Sequence, residues 1–295
     1  MLRKIGAAGG LLLAMCTTGL HAQDTLSFHD DELFKKDVYK NVRADMEKGL
    51  VKGFTQLWQE NMELKPEKIA VPYKKAQTAK SLPRTAVAKQ LNDQVFVIWK
   101  FFRKTNENIE GIAVDATAFA LNDEGVMVTN HHVFSKLLDK YAKFYEMDST
   151  LFLSDLNGNI YGIDKILTYN ENADLALFTV KNLHAAKING IAIGKDAPVG
   201  ADVNILSHPT GFPYYFSTGV VARNVKYSEF GGYTERMDIT ADYAVGSSGG
   251  PIVDAFGSLI GVVSSTHSIY AREQQNLQMV VKQAIPARSL FSMIQ

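Results

Sequence analysis

The sequence is nearly free of cysteine and has no excess of either charge. Cys16 is the only cysteine in 295 residues, so no disulfide can form within the chain and stability must come from the core. The 31 basic and 31 acidic residues balance, which does not favour a nucleic acid or an anionic membrane as partner. No His, Cys and Asp cluster has metal-ligand spacing, and the glycine-rich stretch near residue 246 lacks the Gly-Lys-Ser/Thr ending of a phosphate-binding loop. We therefore expect neither a metal ion nor a cofactor.

The N-terminus carries the longest apolar run of the chain. Arg3 and Lys4 precede apolar residues 5–20, and Ala22 completes a cleavage motif. This pattern predicts a secretory signal peptide over residues 1–22. The alternative, a membrane anchor, requires a longer run without two threonines inside it. Cleavage would leave 29 basic and 31 acidic residues, a formal net charge of −2. We expect an exported protein, periplasmic or secreted, without stable membrane insertion.

Apolar residues then recur at helical spacing between residues 29 and 62. This stripe consists of Phe34, Val38, Val42, Met46, Leu50, Phe54 and Trp58. It predicts one or two amphipathic helices, broken near Gly49 or Gly53, that pack on their own domain rather than on a partner helix. A segment rich in lysine and containing two prolines follows and predicts an extended linker. Residues 23–82 are thus expected to form a helical extension and linker.

Short alternating apolar segments separated by turn residues begin near residue 86 and predict β-strands. The strands fall into two groups, about 92–182 and 195–282, with an Ala-, Lys- and Gly-rich stretch between them. This pattern predicts an all-β fold of two barrels. Residues 285–294 predict a closing helix, and residues 83–295 are expected to form one domain.

The stretch 242–254, DYAVGSSGGPIVD, is typical of a tight loop that opens into a buried strand. Gly246 and Gly249 can adopt positive φ at no steric cost, so the loop can direct backbone N–H groups inward. The N–H groups of Gly246 and Ser248 would form a nest for a developing oxyanion, with the Ser248 hydroxyl at its edge. The alternative is an ordinary glycine- and serine-rich loop.

A serine hydroxyl becomes a good nucleophile only when a base takes its proton and a carboxylate orients that base. His132 follows a strand that ends at Thr129-Asn130, and Asp174 precedes an apolar strand. With Ser248 they give the order His, Asp, Ser. His131, directly before His132, is the alternative base.

Three segments, VTNHHVF, ADLALFTV and GSSGGPIVDAFGSLIGVVSS, resemble trypsin-like serine peptidases of the chymotrypsin fold. The similarity is greatest to the bacterial branch that includes the high-temperature-requirement periplasmic proteases, and it covers roughly residues 92–287. It implies two six-stranded antiparallel barrels with a catalytic triad in the cleft between them. In that triad His132 would be the base, Asp174 the orienting acid and Ser248 the nucleophile. Ser247 replaces the aspartate of zymogen activation in pancreatic enzymes, so we expect neither that route of activation nor a PDZ module after the peptidase domain.

The resemblance also implies where a substrate side chain binds. In this family the floor of the primary pocket lies six residues before the nucleophile, at Asp242, and its wall matches Ser264, Ser265 and Thr266. A carboxylate at the floor would favour Arg or Lys before the scissile bond. Alternatively, Asp242 hydrogen-bonds within its own turn and the pocket is apolar.

These observations predict an exported serine endopeptidase that acts on proteins or peptides through an acyl-enzyme. Two alternatives remain open. One is a catalytically idle peptide-binding or chaperone-like protein on the same fold. The other is a dipeptidyl-peptidase-like exopeptidase, in which the helical segment blocks the cleft. The sequence does not indicate the oligomeric state or the natural substrate.

Overall fold

Two antiparallel β-barrels form the body of the protein. The computed structural model describes residues 28–77, 80–104, 109–142, 149–229 and 232–295; the predicted signal peptide lies outside them. The chain divides into the units Met1–Asp30, described only from residue 28, and Asp31–Gln295, which contains every element below. The first barrel comprises Val95–Lys104 (β1), Ile109–Ala120 (β2), Val126–Thr129 (β3), Thr150–Ser154 (β4), Ile160–Asn170 (β5) and Leu175–Asn182 (β6). The second comprises Asp202–Ser207 (β7), Tyr215–Glu229 (β8), Gly232–Ile239 (β9), Pro251–Val253 (β10), Leu259–Arg272 (β11) and Gln275–Pro286 (β12).

Both barrels close on themselves. The strand orders are β1-β2-β3-β6-β5-β4 and β10-β11-β12-β9-β8-β7. This confirms the expected all-β class with two six-stranded antiparallel barrels. One buried cluster contains Phe119 and Val128 of the first barrel together with Leu206 and Val253 of the second. Because this cluster spans both barrels, their relative position is set by packed side chains.

The first two helices in the described part of the chain are Asp31–Glu47 (α1) and Phe54–Asn61 (α2). Gly49, with φ of +69°, lies between them, and Gly53 is the N-cap of α2. The buried part of the predicted stripe in α1 is Phe34, Val38 and Val42, which pack in one cluster with barrel residues. The helices therefore pack on their own domain, as expected. The buried face of α2 does not continue the predicted stripe. Leu57, which lies outside the stripe, is fully buried, whereas Trp58, which belongs to it, is not.

The segment predicted as an extended linker is extended but is bound to the body. Isolated parallel bridges join Ile69 to Ile294 and Lys75 to Ile193. A helix that the sequence analysis did not predict, Arg84–Asn92 (α3), follows. Its Val87 and Leu91 are fully buried in the cluster shared by the two barrels.

The expected closing helix over residues 285–294 is present but begins later and ends earlier than predicted. Ile285 and Pro286 end β12, where they pair with Val262 and Gly261. The helix after them, Ala287–Ser292, is a 3₁₀ helix. Ile285 therefore belongs to a strand of the second barrel and not to the helix.

None of the helices in the described residues is long and apolar enough to span a membrane.

Candidate active site

His132 and Asp174 face each other beside the first barrel. His132 Nδ1 lies 3.1 Å from both carboxylate oxygens of Asp174, and the His132 backbone N–H donates to Asp174 Oδ1 at 3.0 Å. Asp174 has left-handed backbone, with φ of +60°. Its N–H donates to Glu171 O at 3.1 Å, and its carbonyl accepts from Asn130 Nδ2 at 2.9 Å. The turn before β6 thus holds the carboxylate in place.

This contact sets the charge properties of the imidazole. The hydrogen bond that His132 donates to Asp174 raises the pKa of His132 above its usual value of 6.5; partial burial opposes the rise, and the charges of Asp174 and Asp115 add to it. In the neutral ring the Nδ1 proton is donated to Asp174, so Nε2 is left as an acceptor. Since the side chain is 51% exposed, a group approaching from solvent can reach this nitrogen. His132 is thus arranged to accept a proton.

The neighbouring His131 has different surroundings. Both histidines lie in a short helix, His131–Phe134 (α4), rather than in extended backbone, so their side chains diverge by about 100°. The ring of His131 stacks on Tyr169, with centroids 5.1 Å apart and planes at 25°. Burial lowers the pKa of His131. Of the two rings, only that of His132 is hydrogen-bonded to Asp174.

Ser264 connects Asp174 to the second barrel. Ser264 Oγ donates to Asp174 Oδ2 at 3.0 Å. The preceding residue, Val263, accepts from Gly249 N at 3.1 Å and donates to Gly250 O at 2.8 Å. These contacts bring the loop that carries Ser248 to the same place as His132 and Asp174.

Ser248 lies in this loop, where the two barrels meet. Its carbonyl oxygen accepts from Thr117 N of β2 at 2.9 Å, and its side chain is partly exposed. Among the described residues the Ser248 hydroxyl has no hydrogen bond, whether to His132 or to another group. Contacts of this kind are often long without substrate and tighten when substrate binds.

The loop has a conformation that requires glycine at two positions. Gly246 and Gly249 have φ of +94° and +81°. A Cβ atom at Gly246 would lie 2.4 Å from His208 O, and one at Gly249 would lie 2.3 Å from Thr129 Oγ1. Thr117 Oγ1 donates to Gly246 O at 2.9 Å. Side chains at these positions would therefore push the loop away from both barrels.

Two backbone N–H groups of this loop are left for a ligand. Ser247 N–H donates to Ala244 O at 3.0 Å, whereas those of Gly246 and Ser248 have no acceptor in the described part of the chain. The Val245 carbonyl accepts from the backbone N–H and the hydroxyl of Thr210, at 2.8 and 3.1 Å. Because the C=O and N–H of a trans peptide point in opposite directions, this anchor directs the Gly246 N–H away from Thr210. Paired free N–H groups of this kind favour an anionic oxygen.

A buried histidine, His208, is hydrogen-bonded to Thr117, the residue that also contacts Gly246 of this loop. His208 is fully buried, its N–H donates to Thr117 Oγ1 at 3.1 Å, and its Nδ1 accepts from Tyr214 N at 2.9 Å. Tyr214 is itself held in left-handed backbone, with φ of +59°, and its ring contacts that of His208 at 4.6 Å between centroids. Burial lowers the pKa of His208 to about 3. Folding therefore requires this ring to be neutral.

We expect this histidine to make the protein acid-sensitive. The unfolded chain binds a proton at His208 near pH 6.5, whereas the folded chain does so only near pH 3. The stability that it contributes is therefore complete above pH 6.5 and is lost as the pH falls, by about 1.4 kcal/mol per pH unit. Urea unfolding between pH 7 and pH 5 measures this loss.

His208→Asn, which keeps an acceptor for Tyr214 N–H, supplies the comparison. The gap in unfolding free energy between wild type and His208→Asn should narrow as the pH falls. His267→Asn, on the exposed part of β11, controls for the same substitution outside the core. Parallel pH profiles of wild type and His208→Asn would contradict the prediction.

The residues expected to form a specificity pocket are only partly arranged as predicted. Asp242 does not lie at a buried floor: its side chain is 83% exposed, and Oδ1 lies 3.6 Å from Lys282 Nζ. Ser265 and Thr266 follow Ser264 along β11 and are exposed. The sequence analysis missed Tyr243, which is buried, with its hydroxyl 2.8 Å from the carbonyl oxygens of Ser265 and Gln283.

Sequence comparison gives a family for this arrangement. The trypsin-like peptidase domain profile matches residues 116–262. The chain is 27% identical over 211 residues to Protease Do-like 5, chloroplastic, of Arabidopsis thaliana, covering 70% of this chain and 59% of that protein. It is 29% identical over 154 residues to a probable periplasmic serine endoprotease DegP-like of Brucella suis biovar 1 (strain 1330), covering 52% and 28%. The chain thus spans about three fifths of the length of the Arabidopsis protein and little more than a quarter of the length of the Brucella protein.

Solved structures show the same fold. The crystal structure of Deg5 superposes with a TM-score of 0.50 at 21% identity, over 70% of this chain and 90% of that one. The HtrA-type protease AlgW with a decapeptide superposes with a TM-score of 0.54 at 16% identity, over 71% and 66%. Residues 116–262 thus have the sequence of a trypsin-like peptidase domain, and the chain is homologous to the Deg and HtrA serine proteases.

Proposed function

We propose that the protein is a serine endopeptidase in which Ser248 is the nucleophile, His132 the general base and Asp174 the residue that orients it. The observation that carries this proposal is the contact of Asp174 with both His132 and Ser264. Through this contact His132, oriented by Asp174, lies near the loop of Ser248. That loop has a partly exposed serine hydroxyl and the free N–H groups of Gly246 and Ser248. The trypsin-like family and relatives named as serine proteases support the same chemistry.

The reaction follows from these positions. Ser248 Oγ attacks the carbonyl carbon of the scissile bond while His132 Nε2 takes the hydroxyl proton. The carbonyl oxygen becomes an oxyanion, to which the N–H groups of Gly246 and Ser248 donate. The His132 cation, stabilised by Asp174, then protonates the leaving amine, and the acyl group stays on Ser248. Water, deprotonated by His132, releases the acid product.

Access to the cleft distinguishes an endopeptidase from an exopeptidase. Helix α1 packs its buried face on β1 and β5, in a cluster with Val97, Trp99, Phe101 and Ile160. This position on the first barrel accounts for the apolar stripe of α1. We therefore propose that peptides with blocked termini are substrates, and that residues 83–295 form the peptidase domain.

We propose in addition that residues 1–22 are removed and that the mature protein is exported. The basic start and apolar run support this, as does the relative named as periplasmic. N-terminal sequencing of protein purified after expression from the full gene tests it. A mature chain that starts at Gln23 supports the proposal, and an intact Met1 contradicts it.

The central experiment is labelling of the purified mature chain with a fluorophosphonate, followed by hydrolysis of internally quenched peptides blocked at both ends. An endopeptidase is labelled on Ser248 and cleaves blocked peptides. An exopeptidase is labelled but cleaves only peptides with a free N-terminus. A catalytically idle binding protein is not labelled and retains the peptides uncut.

A further inference from the structure

We infer that the side chain preceding the scissile bond is acidic and that Lys282 recognises it; the inference rests on the proposed function. Lys282 lies in β12, paired with Thr266 of β11 and with Ile239 of β9. Its side chain is only 13% exposed. Nζ donates to Tyr243 O at 2.5 Å and lies 5.2 Å from the centre of the Tyr243 ring. A nearly buried cation therefore lies against the segment that leads to the nucleophile loop.

The chemistry of the reaction places a substrate side chain beside this cation. With its carbonyl carbon at Ser248 and its oxygen at the two free N–H groups, the acyl residue would lie beside two segments. One is 242–246, which leads to Ser248 along the chain; the other is 264–266 of β11, which follows Val263, the partner of Gly249 and Gly250. The Tyr243 hydroxyl, 2.8 Å from Ser265 O and Gln283 O, joins both segments to β12. A side chain extending between them approaches Lys282.

Strand alternation gives Lys282 this orientation and its neighbours the opposite one. Successive side chains of a strand point to opposite faces. Lys282 contacts Asp242 and Tyr243, while Val281 and Gln283 line a separate groove together with Arg223 and His267. The ammonium group thus belongs to the face of β12 that adjoins the segment leading to Ser248.

The charge of Lys282 is only partly balanced. Asp242 Oδ1 is 3.6 Å away and its side chain is 83% exposed, and an ion pair with such an exposed partner contributes little. An ammonium group has three donors, of which Tyr243 O takes one. A substrate carboxylate would supply the missing acceptor in a partly dehydrated position, where charge-assisted hydrogen bonds are strongest. An Arg or Lys side chain would meet a like charge there, which reverses the preference expected from Asp242 alone.

The test uses internally quenched peptides that differ only in the residue before one cleavable bond: Glu, Gln or Lys. In wild type, kcat/KM should be roughly 10-fold or more higher for Glu than for Gln, and lowest for Lys. Lys282→Met should abolish the Glu preference, and Lys282→Arg should retain it. Lys226→Met is the control, because Lys226 pairs with Glu235 at 3.2 Å and is largely exposed; it should leave the preference unchanged.

Asp242→Asn gives a second test that changes only a surface carboxylate. Without its exposed partner, Lys282 should favour Glu over Gln more strongly, by a factor of about 2 to 5. This variant decides the inference even if Lys282→Met fails to fold. An unchanged or reduced ratio in Asp242→Asn would overturn it.

Binding to Ser248→Ala separates this inference from the proposed function. Cleavage of the Glu and Gln peptides at equal rates by a labelled, active wild type overturns the inference and leaves the function standing. If Ser248 is not labelled and nothing is cleaved, the proposed function fails. In that case the inference is tested by binding: the affinity of Ser248→Ala is measured for two peptides, one ending in Glu and one in Gln. Both peptides have a free C-terminal carboxylate, so they differ only in the last side chain. A tighter Glu peptide supports it, and equal affinities overturn it.

Discussion

Replacing Ser248 with alanine should abolish peptide hydrolysis, while replacing Ser247 should leave most of it. Removal of the nucleophile costs about 10³-fold or more in kcat, up to about 10⁶-fold when the other groups act as one unit with it. Ser247 is fully buried, and its Oγ lies 3.0 Å from Ser207 Oγ, so it has no access to substrate. Initial rates on a blocked quenched peptide, with active-site titration by a fluorophosphonate, measure the difference.

Folding has to be controlled in this comparison. Ser247→Ala leaves the Ser207 hydroxyl without that partner in the core, which should lower the unfolding free energy by about 1–3 kcal/mol. Rates are therefore compared at a temperature at which both variants are folded by circular dichroism. Equal losses in the two variants, or full activity of Ser248→Ala, would refute the assignment of the nucleophile.

Replacing Asp174 with asparagine should lower kcat by about 10⁴-fold. An amide oxygen next to His132 Nδ1 carries no charge to stabilise the imidazolium, and an amide nitrogen placed there favours the wrong tautomer. The pH profile gives an independent readout. His132 acts as a base only when neutral, so kcat/KM falls as the pH drops through its pKa, and Asp174 raises that pKa above 6.5. The acid limb should move to lower pH in Asp174→Asn.

Asp115→Asn is the matched control for this shift. Asp115 is the extra residue of a bulge in β2, opposite Ile98 and Trp99, and its charge contributes least of the causes that raise the pKa of His132. Its replacement should move the acid limb down by less than Asp174→Asn does and should keep kcat within several-fold. A larger shift from Asp115→Asn than from Asp174→Asn would show that Asp174 is not the principal partner of His132.

The barrels and the loop that carries Ser248 could be predicted because short stretches of sequence determine them. Alternating apolar residues specify strands one by one, and glycine at positions 246 and 249 matches backbone that no other residue adopts easily. Helix α3 gave no such signal. Only Val87 and Leu91 of its nine residues have large apolar side chains, and their burial between the barrels stabilises the helix. Tertiary packing of this kind overrides local propensity.

The surroundings of Asp242 were the least predictable part of the candidate site. The spacing to Ser248 singled out Asp242 but could not show whether its carboxylate would be enclosed or exposed. Lys282 lies 34 residues after Ser248 in the sequence, and only the pairing of β11 with β12 brings it to the same segment. The two histidines show the same limit, because the sequence did not reveal that the backbone at residues 131–132 is helical, which is what separates their side chains.

The division of the candidate site between two barrels also determines when during folding the site is complete. His132 and Asp174 belong to the first barrel, whereas Ser248 is held by contacts such as that of Thr117 Oγ1 with Gly246 O, across 129 positions of sequence. Contacts between such distant positions require closure of a long loop, at a high cost in chain entropy. Under the proposed mechanism, a chain with only its first barrel formed would have a base without a nucleophile. Such a chain would be inactive, so neither it nor its neighbours would be cleaved before the second barrel closes.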